Sequence, residues 1–315
     1  MDLIITTFES VAILLGIGLI GYWIIRKRII PSDNLGLLSP LALDIALPSL
    51  ILVRILNDFS PTNYPEWWHL PLWWCFFTVI VAGLTYIFSY LSVKKNRREF
   101  AITLFYQNAI FFPLAIFAGI FPNDSSYQIN LFLFTIFYAA FFFSTYQLFF
   151  KSKNKIKIDI KKIIHPVLIF TIVGIFIILL GIQNSVPNII ISILTLLGGM
   201  TIPLIMIILG GNIYLDFKKI GKINFKEMIK FVIIKNFIFP LIFIAILINL
   251  VNILSYQIAL IILIQSAVPP VTAVPLVTER VGGNRAIVNQ YMIGSFITSL
   301  FSIPLMIYLF DILFN

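Results

Sequence analysis

The stretch Gln265-Ser266-Ala267-Val268-Pro269-Pro270-Val271-Thr272-Ala273-Val274-Pro275 sits inside an uncharged apolar tract, 236–278. A tract of that length belongs in the hydrocarbon core of a bilayer, yet no helix can run through this one unbroken. Proline lacks the N–H that an i to i−4 bond needs, and its ring strikes the preceding turn, at ~3 kcal/mol inside a helix. Pro269 is itself held extended by Pro270, so the pair compels a break. Bare backbone groups at mid-bilayer are tolerated only where they face protein or a water-lined cavity. The stretch therefore asks for a polytopic membrane protein with a polar site at the break.

The rest of the chain points to the same solvent. Of 315 residues, 60% are hydrophobic and 11% charged, against ~45–50% and ~25% in soluble domains. High apolar content excludes disorder, and a single cysteine and glycines without a three-residue period exclude disulfide scaffolds and collagen. Ten apolar stretches lie between the charge clusters: 3–25, 35–56, 71–93, 100–121, 126–149, 166–183, 189–214, 228–249, 255–278 and 286–310. Each is long enough for one crossing. The tracts 163–215 and 236–278 are too long for a single crossing and turn within themselves, at 183–188 and 249–257.

Loop charges orient these spans. Twenty of the 22 Lys and Arg fall in alternate loops, at 26–28, 94–98, 151–162, 218–230 and 280–285. The opposite loops and both ends hold Asp2, Asp58, Glu66, Asp124 and Asp311 but no Lys or Arg. By the positive-inside rule the basic loops are cytoplasmic and both termini outside, as a multi-pass protein of the cytoplasmic membrane. The net charge of +9 then reads as orientation rather than as a nucleic-acid footprint. Arg26-Lys27-Arg28 follows the first apolar run instead of preceding it, unlike a cleaved signal peptide. Trp67, Trp68, Trp73 and Trp74 form an interfacial belt, and His69 among them reads as interfacial, not catalytic.

Residues 1–150 carry five spans and 166–315 five more, joined by the basic segment 151–165. Five is odd, so the second half enters the membrane inverted, as in inverted-repeat transporters. A shift of 162 residues lays the fourth span of the first half, Gln107-Asn108-Ala109-Ile110-Phe111-Phe112-Pro113, over the fourth of the second, with Asn108 on Pro270 and Pro113 on Pro275. Alone, Pro113 reads as a kink. Two breaks at matching positions, flanked by Gln107, Asn108, Gln265, Ser266 and Thr272, read as one binding site with Pro269, Pro270 and Pro275 shaping it. Half-helix N-termini there offer free N–H groups and roughly +0.5 of charge each, which suits an anion.

The segment from Gln265 through Pro304, with its Gly282-Gly283-Asn284-Arg285 turn, resembles the auxin efflux carrier family, whose bacterial members include malate permeases. Asn108 with Pro113, and Met200-Thr201-Ile202-Pro203 with Gly210-Gly211, fit the same pattern. The resemblance implies an all-α fold of ten transmembrane helices in two inverted five-helix repeats. It also implies that the broken fourth and ninth helices cross at mid-membrane and that a carboxylate binds there. The short 151–165 linker is similar to that of the bacterial-type members.

An ionisable side chain inside a span costs ~2.5–3.5 kcal/mol on insertion scales and is a functional candidate by default. Asp44, near the middle of the second span, is too short and deep to snorkel: it should face a cavity, pair with a cation or be protonated. It is the leading coupling or gating carboxylate, with Glu9 and Lys235 beside it, although the Lys235 stem also allows snorkelling. Arg54 reads as a snorkelling side chain. No P-loop, H-E-x-x-H, G-x-S-x-G or paired-cysteine motif occurs, and Cys75 is alone, so no enzyme, cofactor or metal site is expected. The expected function is secondary transport or uniport of small organic anions, malate-like or auxin-like, chiefly as efflux, by alternating access. Substrate anion, lipid and a coupling proton or sodium ion are the expected partners, nucleic acid is not, and a homodimer is compatible with this layout. Two alternatives stand beside it: an ion-coupled symporter of another organic solute on a related fold, and a non-transporting receptor or scaffold.

Overall fold

The computed structural model describes residues 2–31, 34–62, 65–150, 166–218 and 223–314; the expected linker 151–165 lies outside the described residues. Among the described residues every element is helical, apart from one isolated β-bridge. Seven helical runs are long and apolar enough to cross a bilayer, which makes this an integral membrane protein. Three shorter apolar helices, Phe111–Ile120, Pro166–Leu179 and Tyr256–Ala267, fall inside the fourth, sixth and ninth expected spans.

Three helices run through without interruption: α1 (Asp2–Arg26), α4 (Leu70–Ser89) and, at the C-terminal end, α16 (Arg285–Phe314). The sixth expected span is one short unbroken helix, Pro166–Leu179, and the remaining ones break where the chemistry of the chain breaks them. Between α2 (Leu35–Pro40) and α3 (Leu47–Asp58) lies a wide π-turn, Leu41–Ala46, just before Pro48, which has no N–H for the Asp44 carbonyl. A second π-turn, Ile234–Ile238, joins α12 (Phe225–Ile233) to α13 (Phe239–Ile248) ahead of Pro240. The seventh expected span is two helices, α10 (Asn188–Gly199) and α11 (Thr201–Lys218), parted at Met200 because Pro203 leaves the Gly199 carbonyl without its helical donor. The fifth, expected as continuous, is α7 (Ser126–Phe134) and α8 (Tyr138–Thr145). No proline marks that break, but the Thr135 hydroxyl bonds back to Leu131 O at 2.7 Å at the end of α7. The remaining elements are α5 (Arg97–Phe105), α6 (Phe111–Ile120), α9 (Pro166–Leu179), α14 (Tyr256–Ala267) and α15 (Val274–Arg280).

Packing sorts the helices into two groups that cut across the two sequence halves. In the first, α1 lies along α11, and α3 packs on α9 and α10. In the second, α16 packs on α5, α12, α14 and α15, while α4 joins α5 to α7. The α1–α11 contact rests on glycine: a Cβ on Gly210 would come within 1.7 Å of Gly18 O, so only backbone fits between the helices. The second group holds the core. From Ile258 to Ala267 every residue of α14 is buried, as an all-round apolar helix requires. The groups meet where α1 crosses α6 and α16, and where α3 meets α7.

Candidate functional site

The two broken spans meet at their breaks. Asn108 donates its amide to Pro269 O at 2.8 Å and Val271 donates to Tyr106 O at 3.0 Å, an antiparallel bridge centred on Gln107 and Pro270. Each break leaves a carbonyl that proline has orphaned, and a side chain from elsewhere satisfies each one. Pro113 cannot donate to Ala109 O, which accepts instead from Gln265 Nε2 at 2.6 Å. Pro270 cannot donate to Ser266 O, which accepts from Lys235 Nζ at 3.1 Å. Tyr138 caps Gln107 O through its hydroxyl, and the Tyr106 hydroxyl shares a hydrogen bond with Thr145 Oγ1 at 2.7 Å. These bonds hold irregular backbone inside a buried region without leaving its carbonyls bare.

Other groups at the crossing have no such partner. Among the described residues no protein group accepts from the amides of Ala109, Ile110 and Phe111 at the start of α6. Asn108 is 1% exposed, its Oδ1 accepts from Phe112 N at 3.4 Å, and its Nδ2 is unpartnered. These donors border a cavity of about 250 Å³ whose walls come from both helix groups. Ser39, Leu43 and Leu47, with Ile205, Leu209 and Asn212, line it from the first group. Asn108–Phe111, Tyr138, Phe142, Phe143 and Thr272 line it from the second. Apolar walls with a few convergent donors suit a small amphipathic anion.

The site residues expected from sequence separate by role. Asn108 and Thr272 face the cavity, while Gln107, Pro269 and Pro270 form the bridge. Gln265 and Ser266 hold the breaks together behind it, and Pro113 and Pro275 are buried in the first turns of α6 and α15. Asp44 is exposed on the first π-turn and is not among the lining residues, although Leu43 and Leu47 are. Glu9 is exposed on α1. Lys235 does not snorkel: it is 1% exposed and points into the ninth-span break. Arg54 pairs with Asp58 at 3.3 Å at the C-terminal end of α3. Sequence reasoning passed over Tyr106, Tyr138, Ser39 and Asn212. For Asn212 a signal existed, a polar residue beside Gly210-Gly211 in an uncharged tract; the tyrosines carry none.

A helical membrane protein whose broken spans meet around a cavity with free amides has the build of a solute transporter. The family of membrane transport proteins matches residues 6–307, and the chain belongs to it: this is a membrane transporter of the auxin efflux carrier family. The family is one of transporters rather than enzymes. No curated protein matches the chain.

Proposed function

We propose that the protein is a secondary transporter of small organic anions that binds a carboxylate at the crossing and exports it by alternating access. The observation that supports this most is the cavity itself, where the free amides at the start of α6 and the unpaired Asn108 Nδ2 converge beneath apolar walls. Amides at a helix N-terminus stabilise negative charge through both hydrogen bonding and the helix dipole. Leu43, Phe142, Ile205 and Leu209 favour an acid with an apolar body over a compact dicarboxylate, whose second charge would be desolvated against them. At about 250 Å³ the space lies just below the ~300–1,000 Å³ of ordinary ligand pockets, which limits the cargo to small acids.

In this reading ten spans form two inverted repeats, both termini lie outside, and the basic loops face the cytoplasm. Ser39, Asn212 and Phe143 then stand in the cytoplasmic half of their spans, so the cavity is reached from inside. On the outer side α1 and α6 close tightly, with the Ser10 Cβ 2.5 Å from where a Cβ on Gly119 would stand. The helix group of α1, α3, α9 and α11 is the frame, and sliding of the second group past it transfers the site. With the interior negative, exporting a monoanion releases ~2.3 kcal/mol per 100 mV, so an uncoupled carrier runs outward.

Flux of labelled indole acetate, malonate and malate from proteoliposomes at set potential, with and without sodium, tests the proposal. Potential-driven movement of at least one acid, fastest for the apolar one, is expected. Absence of movement of all three would overturn it, and flux that needs sodium would replace uniport with symport.

A further inference from the structure

We infer that Lys235 is the charge that makes the crossing select anions. This rests on the proposed function and deepens it. Lys235 lies on the π-turn Ile234–Ile238, where its neighbour Asn236 is anchored to α16: Nδ2 donates to Ser295 O at 3.0 Å and Oδ1 accepts from Ser295 Oγ at 2.7 Å. The anchored turn directs Lys235 onto α14, where its Nζ caps Ser266 O, with the Phe239 ring 5.6 Å away. No carboxylate pairs with it among the described residues. An ammonium buried without a counter-ion is expensive in a membrane interior and, where it is kept, marks a charge that the site uses.

The balance of helix ends shows what that charge does. At the crossing α5 and α14 end, presenting carbonyls, while α6 and α15 begin, presenting amides. Ends of opposite sign, at roughly half a charge each, nearly cancel. In its protonated form Lys235 caps the Ser266 carbonyl at the C-terminal end of α14 and offsets one negative end, which leaves the crossing as a whole positive. The Gln265 side chain carries the connection forward, since its residue precedes Ser266 and its Nε2 holds Ala109 O at the cavity wall. The crossing is thus set for an anion by the chain alone.

The test compares binding of indole acetate with that of its neutral isostere indole acetamide, in sodium-free detergent solution, to wild type, Lys235→Met and Lys235→Ala. Wild type prefers the carboxylate. In Lys235→Met the preference falls by about an order of magnitude, the size of effect expected when one unscreened charge is removed near the site. Binding of the amide is retained, and methylammonium restores the preference in Lys235→Ala. A preference unchanged in Lys235→Met overturns the inference, and so does equal loss of both ligands without rescue, which assigns Lys235 a purely structural role. Wild type that moves none of the three acids in the proteoliposome flux assay overturns the proposed function instead.

Discussion

Asn108 and Gln265 are both buried amides on broken helices, yet their surroundings give them different work. Asn108 leaves a donor unpaired against the cavity, whereas Gln265 uses its donor on the carbonyl that Pro113 orphans. Asn108→Leu should therefore weaken carboxylate binding by about 1.5–3 kcal/mol, the worth of a hydrogen bond to a charged group, and cost about 1 kcal/mol of stability through the lost acceptor for Phe112 N. Ligand titration beside a melting curve separates the two effects. Gln265→Leu should do the reverse first: leaving Ala109 O unsatisfied costs about 1–3 kcal/mol of stability. Pro113→Ala supplies the missing N–H from within the helix, so adding it to Gln265→Leu should recover stability in a double-variant melting series. Strict additivity of the two losses would refute this account of the orphaned carbonyl.

Elements in this protein are shaped by what interrupts them. The π-turns precede Pro48 and Pro240, and the gap between α10 and α11 precedes Pro203, so each interruption could be read from a proline four residues beyond the carbonyl it orphans. The break at 135–137 carries no proline or glycine, and a continuous fifth span was the natural reading. Between elements the decisive contact is the glycine seam of α1 and α11. Gly210→Leu would force a side chain into Gly18 O, so it should lower stability by about 2–3 kcal/mol or block assembly. Gly16→Leu, on the same α1 but with nothing within 4 Å, should shift the melting temperature little. Equal effects from the two substitutions would rule out the seam as the cause.

At the scale of the molecule the two sequence halves do not fold as separate bodies, because α1 of the first lies along α11 of the second. The boundary between the two helix groups runs elsewhere than between the halves, and the cavity lies on it. In a Cys75→Ser background, Asn212→Cys should react with a membrane-impermeant thiol reagent from the side of the basic loops and be protected by substrate. Reaction from the opposite side alone would invert either the topology or the resting state. The same labelling in Ser39→Cys, on α2 rather than α11, checks that the whole cavity mouth faces one way.

Membrane location, helical class and the two breaks were legible in the chain, because apolar run length and the chemistry of proline act locally and leave little choice. The family pattern was legible for the same reason, since its short motifs are those breaks. Which carbonyls the breaks orphan also follows from counting residues. What satisfies them does not: Gln265 reaches Ala109, Lys235 reaches Ser266 and Tyr138 reaches Gln107 from distant parts of the chain, and only three-dimensional packing brings them together. The same holds for the membrane charges. Hydropathy singled out Asp44, Glu9 and Lys235 alike, but a side chain's depth says nothing of the direction in which its helix faces. Packing turned Asp44 and Glu9 to exposed surfaces and Lys235 onto the crossing.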